Sequence, residues 1–359
     1  MNLTRRRLLV TAAGLAAAAT GAVGLSGCNA SAGSAPAVGA PSAAAGSAEE
    51  GAFPVALTHR FGETTIAAEP KRVVCVGLKE QDDLLAVGVV PVGASPWLDF
   101  PDGSKILGPW TDEALGSAPV PETLDNTNGI PFEAVAALQP DLILALYAGP
   151  TQADYTKLSA IAPTVTFPKE YVDYGIPWDV QAEIVGRAVG RPQAMAARIA
   201  ASKEAVADAA AANPGFRDQT TMVITPYEGL YVYGSQDPRT RLMYELGLVK
   251  PPGFDELFAA DTNTFGGNIS PEKAEILDVG VLVCFADEGE QQKQIETTLF
   301  KSQAVSTEGR TIWLRTGDDA TLPFSFLTAL SLPYLLKAFV PRVVAAADGD
   351  PATSTEQTA

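Results

Sequence analysis

The run from Pro192 to Ala212 constrains the fold more than any other feature of the sequence. It is rich in Ala and, after Pro192, contains neither Gly nor Pro. Proline is favoured in the first turn of a helix, and the following Asn213-Pro214-Gly215 is a strong stop signal. A helix of this length spans ~30 Å, the width of a small domain. A second helical pattern directly before it extends the predicted connector to residues 178–213, a stiff link between two halves of the chain.

Both halves alternate short apolar runs with helical patterns, which is typical of a parallel sheet covered by helices. The predicted strands of the two halves are residues 73–76, 89–93, 142–146, 164–166, 221–225, 231–233, 279–285 and 311–314. Two short segments correspond between the halves, because Glu133 and Glu272 each precede a Leu by five positions, and an Asp and a strand then follow. The sequence therefore predicts an α/β protein of two Rossmann-like lobes, residues 53–177 and 214–341, with parallel-rich sheets, joined by a single long helix. A cleft between lobes held by such a rod would be largely preformed.

The N-terminal segment has the pattern of an export signal. Three Arg at positions 5–7 precede an apolar, Ala-rich run, and residues 25–28 (Leu-Ser-Gly-Cys) resemble the lipobox of bacterial lipoproteins, with Cys28 as the lipidation site. The Arg-rich start also resembles a twin-arginine signal, so the export route, Sec or twin-arginine, stays open. We interpret residues 1–27 as a lipoprotein signal peptide. The Ala-, Gly-, Ser- and Pro-rich residues 28–52 are expected to be a flexible tether, and residues 342–359 a disordered tail.

Charge and rare residues exclude several function classes. The chain carries 42 acids and 25 bases, a net charge of −17. Removal of residues 1–27 would take away three Arg and no acid, which brings the charge to −20. This balance opposes nucleic-acid binding, which needs a basic footprint. The single His59 and three Cys cannot build a His-rich or Cys₄ metal site.

The sequence also lacks a convincing catalytic pattern. His59 has no plausible catalytic neighbours, and the Gly-rich stretch 265–268 lacks the spacing and Lys of a phosphate-binding loop. Cys75 and Cys284 lie in apolar strand runs of different halves, where free buried thiols are expected. We therefore expect a binding protein rather than an enzyme.

Aromatic and cationic residues cluster in the loops that follow predicted strands, where open α/β sheets bind ligands. This combination suits a bulky ligand that is partly apolar and partly anionic. Plugging of the lobe interface is the competing interpretation for any one of these residues. The candidate ligand-binding residues are Lys79, Trp97, Lys105, Trp110, Tyr147, Tyr227, Phe285 and Arg315.

The order of short segments along the body resembles the binding lipoproteins of ABC importers for iron–siderophore complexes, in the helical-backbone group that also holds vitamin B12 and haem binders. The resemblance covers about residues 55–341. Its segments are Pro70–Val74, Asp83–Gly93, Phe132–Ile143, Leu158–Val165, Pro177-Trp178 with Gln181, Gly186, Gly190 and Arg191, Leu230–Gly234, Ser270–Glu272 and Gly309–Leu314.

This resemblance implies an extracytoplasmic, lipid-anchored monomer that captures a ferric siderophore between its lobes and delivers it to an ABC permease with its ATPase. The siderophore itself would hold the iron, so no resident cofactor is expected. Glu133 and Glu272 match the positions that dock on the permease, and Arg315 matches a ligand-contacting Arg. Many relatives that bind anionic siderophores carry several Arg in the first lobe, whereas this chain offers mainly Lys79 and Lys105. A hydroxamate or near-neutral ligand is therefore at least as compatible. Three alternatives remain. The cargo is cobalamin, or it is haem with Tyr147 or Tyr227 as its axial ligand. Otherwise the protein is an envelope scaffold without a role in transport.

Overall fold

The computed structural model describes residues 47–97, 106–258 and 265–356, and of Pro271 and Glu272 it describes only the backbone. Within these ranges the body consists of two α/β lobes joined by a helical connector. None of the described helices is both long and apolar enough to cross a membrane.

The first lobe is built on a five-stranded, entirely parallel sheet. The strands of the lobe are β1 (Val55–His59), β2 (Gly62–Ile66), β3 (Val73–Cys75), β4 (Gly93–Ala94), β5 (Glu122–Thr123), β6 (Leu142–Ala145) and β7 (Thr164–Thr166). The helices of the lobe are α1 (Glu80–Ala86), α2 (Asp112–Leu115), α3 (Phe132–Ala137) and α4 (Gln152–Ile161). The sheet order is β5-β4-β3-β6-β7, while β1 and β2 form a separate hairpin. Because β3 and β6 are apolar and central, their residues are fully buried, as expected for a parallel sheet with both faces covered.

The connector confirms the feature on which the fold prediction depends. Helix α5 (Trp178–Ala188) is followed by α6 (Pro192–Ala212), which has the predicted bounds. The turn between them needs Gly190, whose φ is +69° and whose missing Cβ leaves room for the Phe53 ring 2.5 Å from where it would lie. Both helices pack on each other, and α6 also packs on elements of the second lobe, so the connector belongs to the core of the body.

The second lobe carries a mixed sheet of order β10-β9-β8-β11-β12, in which β8, β11 and β12 are parallel and β9 and β10 antiparallel. Its strands are β8 (Thr221–Thr225), β9 (Leu230–Tyr233), β10 (Gly266–Ile269), β11 (Val281–Phe285) and β12 (Thr311–Leu314). Its helices are α7 (Pro238–Glu245), α8 (Glu290–Ile295), α9 (Thr298–Ser302), α10 (Ala304–Thr307), α11 (Thr321–Ser325) and α12 (Leu332–Ala347). Short 3₁₀ helices cover Pro109–Thr111, Pro214–Phe216, Asp255–Phe258 and Pro271–Leu277.

Rare residues that were expected to be structural are buried. Cys75 and Cys284 are free thiols inside the two sheets, as predicted. The backbone N–H of Phe61 donates to Nδ1 of His59, so the ring proton lies on Nε2, 3.0 Å from Oγ1 of Thr64. Burial lowers the pKa of His59. The only imidazole therefore ties the β1–β2 hairpin together in its neutral form.

Residues 342–356 are ordered, whereas the sequence predicted a disordered tail from residue 342. Helix α12 continues to Ala347, and residues 348–356 pack beside β12. Arg342, 3% exposed, donates to the carbonyl oxygens of Trp313 and Thr355, and the Thr355 hydroxyl donates to the Thr311 carbonyl oxygen. The polar composition of the segment predicted disorder. The contacts that order it could not be predicted from its residue types, because the acceptors are backbone carbonyl oxygens.

Two further boundaries differ from the sequence predictions. The tether was predicted to reach residue 52, but the carboxylate of Glu49 accepts hydrogen bonds from the N–H groups of Gln193 and Ala194 in the first turn of α6. A carboxylate at this position satisfies helix N–H groups that have no partner within the helix. The strand predicted at 89–93 is reduced to Gly93–Ala94, because residues 89–92 form a loop after α1.

Candidate functional site

The two lobes meet where the carboxyl ends of their parallel strands lie. Lys79, after β3, donates from Nζ to the carbonyl oxygen of Leu327 at 3.2 Å. Arg241 on α7 donates from Nη1 to the carbonyl oxygen of Gly175 at 2.8 Å. Since ligands of open α/β sheets bind outside these strand ends, the region between the lobes is the candidate site.

A continuous row of aromatic rings forms the floor of this region. Trp110 stacks on Trp97 with centroids 5.2 Å apart, and Trp97 stacks on Phe326 at 6.0 Å. Phe326 meets Tyr147 edge-on at 6.3 Å, and Tyr147 meets Tyr174 in the same way at 5.2 Å. Phe326 precedes α12, so the row crosses from the first lobe to the second. Trp97 and Tyr147 are 2% and 4% exposed, whereas Trp110 and Tyr174 retain accessible surface.

The α1 end of this floor is held by a buried carboxylate. Oε1 of Glu80 accepts hydrogen bonds from the N–H groups of Leu146 and Tyr147 at 2.6 and 2.8 Å, and Oε2 accepts from that of Lys79 at 3.1 Å. Gly77 leaves the space that this carboxylate occupies. Glu80 thus joins the loop after β3 to the loop after β6.

Lys79 is part of the same buried network. Its Nζ lies 4.4 Å from the centroid of the Tyr147 ring, and the residue is 1% exposed. Burial lowers the pKa of Lys79 to about 8, although nearby acids oppose the shift, Asp83 most strongly. Buried in this way, the ammonium group faces protein rather than an open cleft.

Two further acids of α1 tie neighbouring elements together. Oδ2 of Asp82 accepts hydrogen bonds from Nε1 of Trp110 at 2.7 Å and from the Thr328 hydroxyl at 3.1 Å. Asp83 accepts a hydrogen bond from Gln181 of α5 at 2.8 Å. Burial raises the pKa of Asp82 to about 7 and that of Asp83 to about 8. Asp82 therefore links an aromatic residue of the floor to the segment that enters α12.

The second lobe supplies a wall built around one fixed guanidinium group. Arg239 binds Asp237 through Nε and Nη2 at 2.8 and 2.6 Å, and its Cζ lies 3.7 Å from the centroid of the Tyr233 ring. Tyr233 in turn meets Phe285 edge-on at 6.1 Å. Burial alone would lower the pKa of Arg239, but the charge of Asp237 outweighs it and raises the pKa. Arg239, 11% exposed, is thus a permanently charged donor held at a defined position.

The structure brings together most of the residues predicted from sequence. Lys79, Trp97, Trp110 and Tyr147 share the floor, and Phe285 lies in the wall. Tyr227 stands apart at the β8–β9 turn and is 62% exposed. Lys105 and Cys28 lie outside the described residues.

The remaining predicted residues lie at the edges of the body. Arg315 follows β12, where Nη1 contacts the Ala286 carbonyl oxygen and Nη2 lies 3.2 Å from Glu356. Glu133 is exposed in the first turn of α3. The backbone of Glu272 lies in the 3₁₀ helix Pro271–Leu277, at the corresponding place in the second lobe.

Three residues of the site were missed by the sequence analysis. Tyr233 was interpreted only as part of a strand, and Arg239 was not singled out at all. Tyr174 lies in the loop after β7, where its φ of +62° is unusual for a non-glycine residue and its hydroxyl donates to the Ala148 carbonyl oxygen. The position of that loop after a parallel strand was the signal that could have identified Tyr174.

Comparison with protein families agrees with this architecture. The model of the family described as periplasmic binding protein matches residues 73–306, which is more than half of the chain. The chain belongs to the periplasmic binding protein family. The matched range begins at β3 and ends in α10, so it contains the connector, the wall and all of the floor except Phe326. Among the described residues of this periplasmic binding protein, no group of three His, Cys, Asp or Glu side chains could hold a metal ion.

Solved structures extend the likeness to the whole body. A periplasmic solute binding protein from Mycobacterium smegmatis is 30% identical, with a TM-score of 0.68, over 82% of this chain and 98% of that one. Streptococcus pneumoniae PiaA in complex with ferrichrome is 25% identical, with a TM-score of 0.72, over 82% of this chain and 99% of that one.

Curated relatives match over shorter stretches. The Fe(3+) dicitrate-binding periplasmic protein FecB of Escherichia coli is 31% identical over 45% of this chain and 51% of its own length. A putative ABC transporter substrate-binding lipoprotein of Bacillus subtilis is 30% identical over 43% of this chain and 45% of its own length. The chain thus matches about half the length of these two relatives.

Proposed function

We propose that this periplasmic binding protein captures a ferric siderophore between its lobes and delivers it to an ABC permease for iron uptake. The observation that carries the proposal is the pairing of an aromatic floor with a wall that presents one fixed guanidinium group. Ferric siderophores combine a large, partly apolar shell with oxygen atoms around the metal. Aromatic faces would bury the shell, and Arg239 would donate to the oxygen atoms.

The half-buried residues at the mouth of the region are the proposed direct contacts. Trp110, Tyr174, Tyr233 and Phe285 keep accessible surface, whereas Lys79, Trp97 and Tyr147 are covered by Phe326 and Leu327. We assign the covered residues to support beneath the contacts, and Arg315 and Tyr227 to the rim. The likeness to PiaA, whose crystal structure contains ferrichrome, supports a ferric siderophore as the ligand.

Fluorescence titration tests the binding site. Two of the four Trp of the chain lie in the floor, so saturable quenching by a ferric siderophore is expected. Tyr174→Ala should weaken binding at least tenfold, since it removes a ring from the mouth. Tyr155→Ala is the matched control, because its ring packs on His59 and Phe61, away from the lobe junction. Equal affinities of the two variants would contradict the proposed site.

Delivery to a permease would use Glu133 and Glu272, one acid on each lobe. Two separated carboxylates can orient a two-lobed protein on a partner of complementary charge and increase the association rate. The double variant Glu133→Ala, Glu272→Ala should bind cargo normally but support no uptake. The control pair Glu63→Ala, Glu204→Ala removes two other exposed acids and should leave uptake unchanged. Normal uptake by the Glu133, Glu272 variant would refute the docking role.

The location proposed is the outer face of the cell membrane, with lipid attached at Cys28. Metabolic labelling with a fatty-acid analogue should mark the wild type and leave Cys28→Ala unlabelled. Labelling of the variant would rule out that anchor.

A further inference from the structure

The charges around the candidate site bear on which class of siderophore it accepts. The described loops that follow the parallel strands and the β8–β9 turn are residues 76–79, 95–97, 124–131, 146–150, 167–177, 226–229, 286–289 and 315–320. Their bases are Lys79, Lys169 and Arg315, and their acids are Asp125, Glu170, Asp173, Glu228, Asp287, Glu288, Asp318 and Asp319. Three bases face eight acids, so these loops provide no cationic excess.

Two Arg side chains beside these loops, Arg239 and Arg60, are also paired with carboxylates, whereas Arg241 at the lobe junction donates to the Gly175 carbonyl oxygen. Arg239 uses two nitrogen atoms on Asp237, which is itself fully buried. Arg60, beside Phe167 at the end of β7, forms an ion pair with Asp173. Arg239 and Arg60 therefore each have a carboxylate counter-charge within the protein.

Arg315 is paired in the same way, whereas Lys79 donates to a backbone carbonyl oxygen. Nη2 of Arg315 lies 3.2 Å from Glu356 of the C-terminal segment and 3.9 Å from Glu288. Lys79 is enclosed at the start of α1, which contributes three buried acids. A multiply charged anion would therefore have to compete with existing carboxylates for Arg60, Arg239 and Arg315.

The long-range field acts in the same direction. The whole chain carries a net charge of −17, and the loss of residues 1–27 would make it −20. Such an excess slows the approach of anions and favours neutral or cationic solutes. Local pairing and the overall field thus disfavour the same ligands.

We infer that the site selects ferric siderophores that are neutral or positively charged, as ferric trihydroxamates are, over anionic ferric citrate and ferric tricatecholate complexes. This inference rests on the proposed function. Neutral trihydroxamates would gain their affinity from contact with the aromatic surfaces. From Arg239 they would need only a hydrogen bond donated by Nη1, the nitrogen that does not bind Asp237.

A charge series tests the inference with the full chain. The probes are ferrichrome (neutral), ferrioxamine B (cationic), ferric dicitrate and a ferric tricatecholate (both anionic). Ferrichrome or ferrioxamine B should bind at least 100-fold more tightly than either anion, and the dissociation constant for ferrichrome should change less than threefold between 50 and 500 mM NaCl. Tighter binding of an anionic complex would overturn the inference but leave the proposed function intact. Binding of none of the four would overturn both.

Releasing one cation provides an independent test. Glu356→Gln removes the nearer of the two carboxylates beside Arg315 at the rim and should raise the affinity for ferric dicitrate at least threefold, with no change for ferrichrome. Glu308→Gln is the control, because Glu308 pairs with Arg310 at the opposite end of β12. An unchanged preference in Glu356→Gln would show that pairing of Arg315 does not set the selectivity.

Discussion

The substitution Gly77→Ala tests the buried carboxylate that joins two loops of the first lobe. A Cβ on Gly77 would overlap both carboxylate oxygen atoms of Glu80, which is fully buried. The Glu80 side chain would have to leave its place, and the N–H groups of Lys79, Leu146 and Tyr147 would lose their acceptor. A buried, unsatisfied polar group costs about 1–3 kcal/mol, so three cost about 3–9 kcal/mol. This is a large part of the stability of a typical domain, about 5–15 kcal/mol.

Urea unfolding followed by circular dichroism measures the loss. Gly215→Ala is the matched control, because its Cβ would meet no atom within 4 Å and its φ is not positive. Glu80→Ala should be destabilising by a similar amount, and the double variant should lose little more than either single one, since both remove the same hydrogen bonds. A loss for Gly77→Ala within about 0.5 kcal/mol of the control, or full additivity with Glu80→Ala, would refute the reasoning.

Three further predictions concern other parts of the body. Ending the chain after Ala347 removes the segment beside β12 and the Thr355 carbonyl group that Arg342 binds, so we expect the free energy of unfolding to fall by about 1–3 kcal/mol. Because β12 is an edge strand, the truncated protein should also associate with increasing concentration on gel filtration. A monomer of unchanged stability would contradict this prediction. Burial raises the pKa of Asp82 from 3.8 to about 7, so its stabilising contribution is complete below pH 3.8 and lost as the pH rises through 7. Asp82→Asn should therefore flatten the pH dependence of unfolding between these values, and an unchanged slope would disprove the assignment. Cys75 and Cys284, whose pKa values burial raises, should react with a thiol reagent only after unfolding; rapid labelling of the native protein would contradict their burial.

The connector could be predicted from sequence because its signals are local. Pro192 and the Asn213-Pro214-Gly215 stop define both ends of α6, and no distant residue is needed to place them. The alternation of strands and helices was equally accessible, since buried parallel strands consist of apolar residues. The length of a strand could not be predicted in this way, since the strand expected at residues 89–93 is reduced to Gly93–Ala94.

The site could be predicted only in part, because pairings across the lobes leave no local pattern. Lys79 follows a strand, which identified it, but its burial depends on Leu327, 248 residues away in the chain. The role of Arg239 could not be predicted from sequence, because it depends on the stacking of its guanidinium group on the Tyr233 ring. The ordered C-terminal segment was missed for the same reason, since its contacts are made by Arg342 and by backbone groups.

The proposed function places iron, carried by a siderophore, between the lobes. Anomalous X-ray diffraction at the iron edge, from crystals of the full chain grown with ferrichrome, tests it most directly. We predict a single strong iron peak between the two sheets, at the carboxyl ends of their parallel strands, flanked by Tyr174 and Arg239. An iron peak elsewhere on the surface, or none in crystals grown with saturating ferrichrome, would contradict the account.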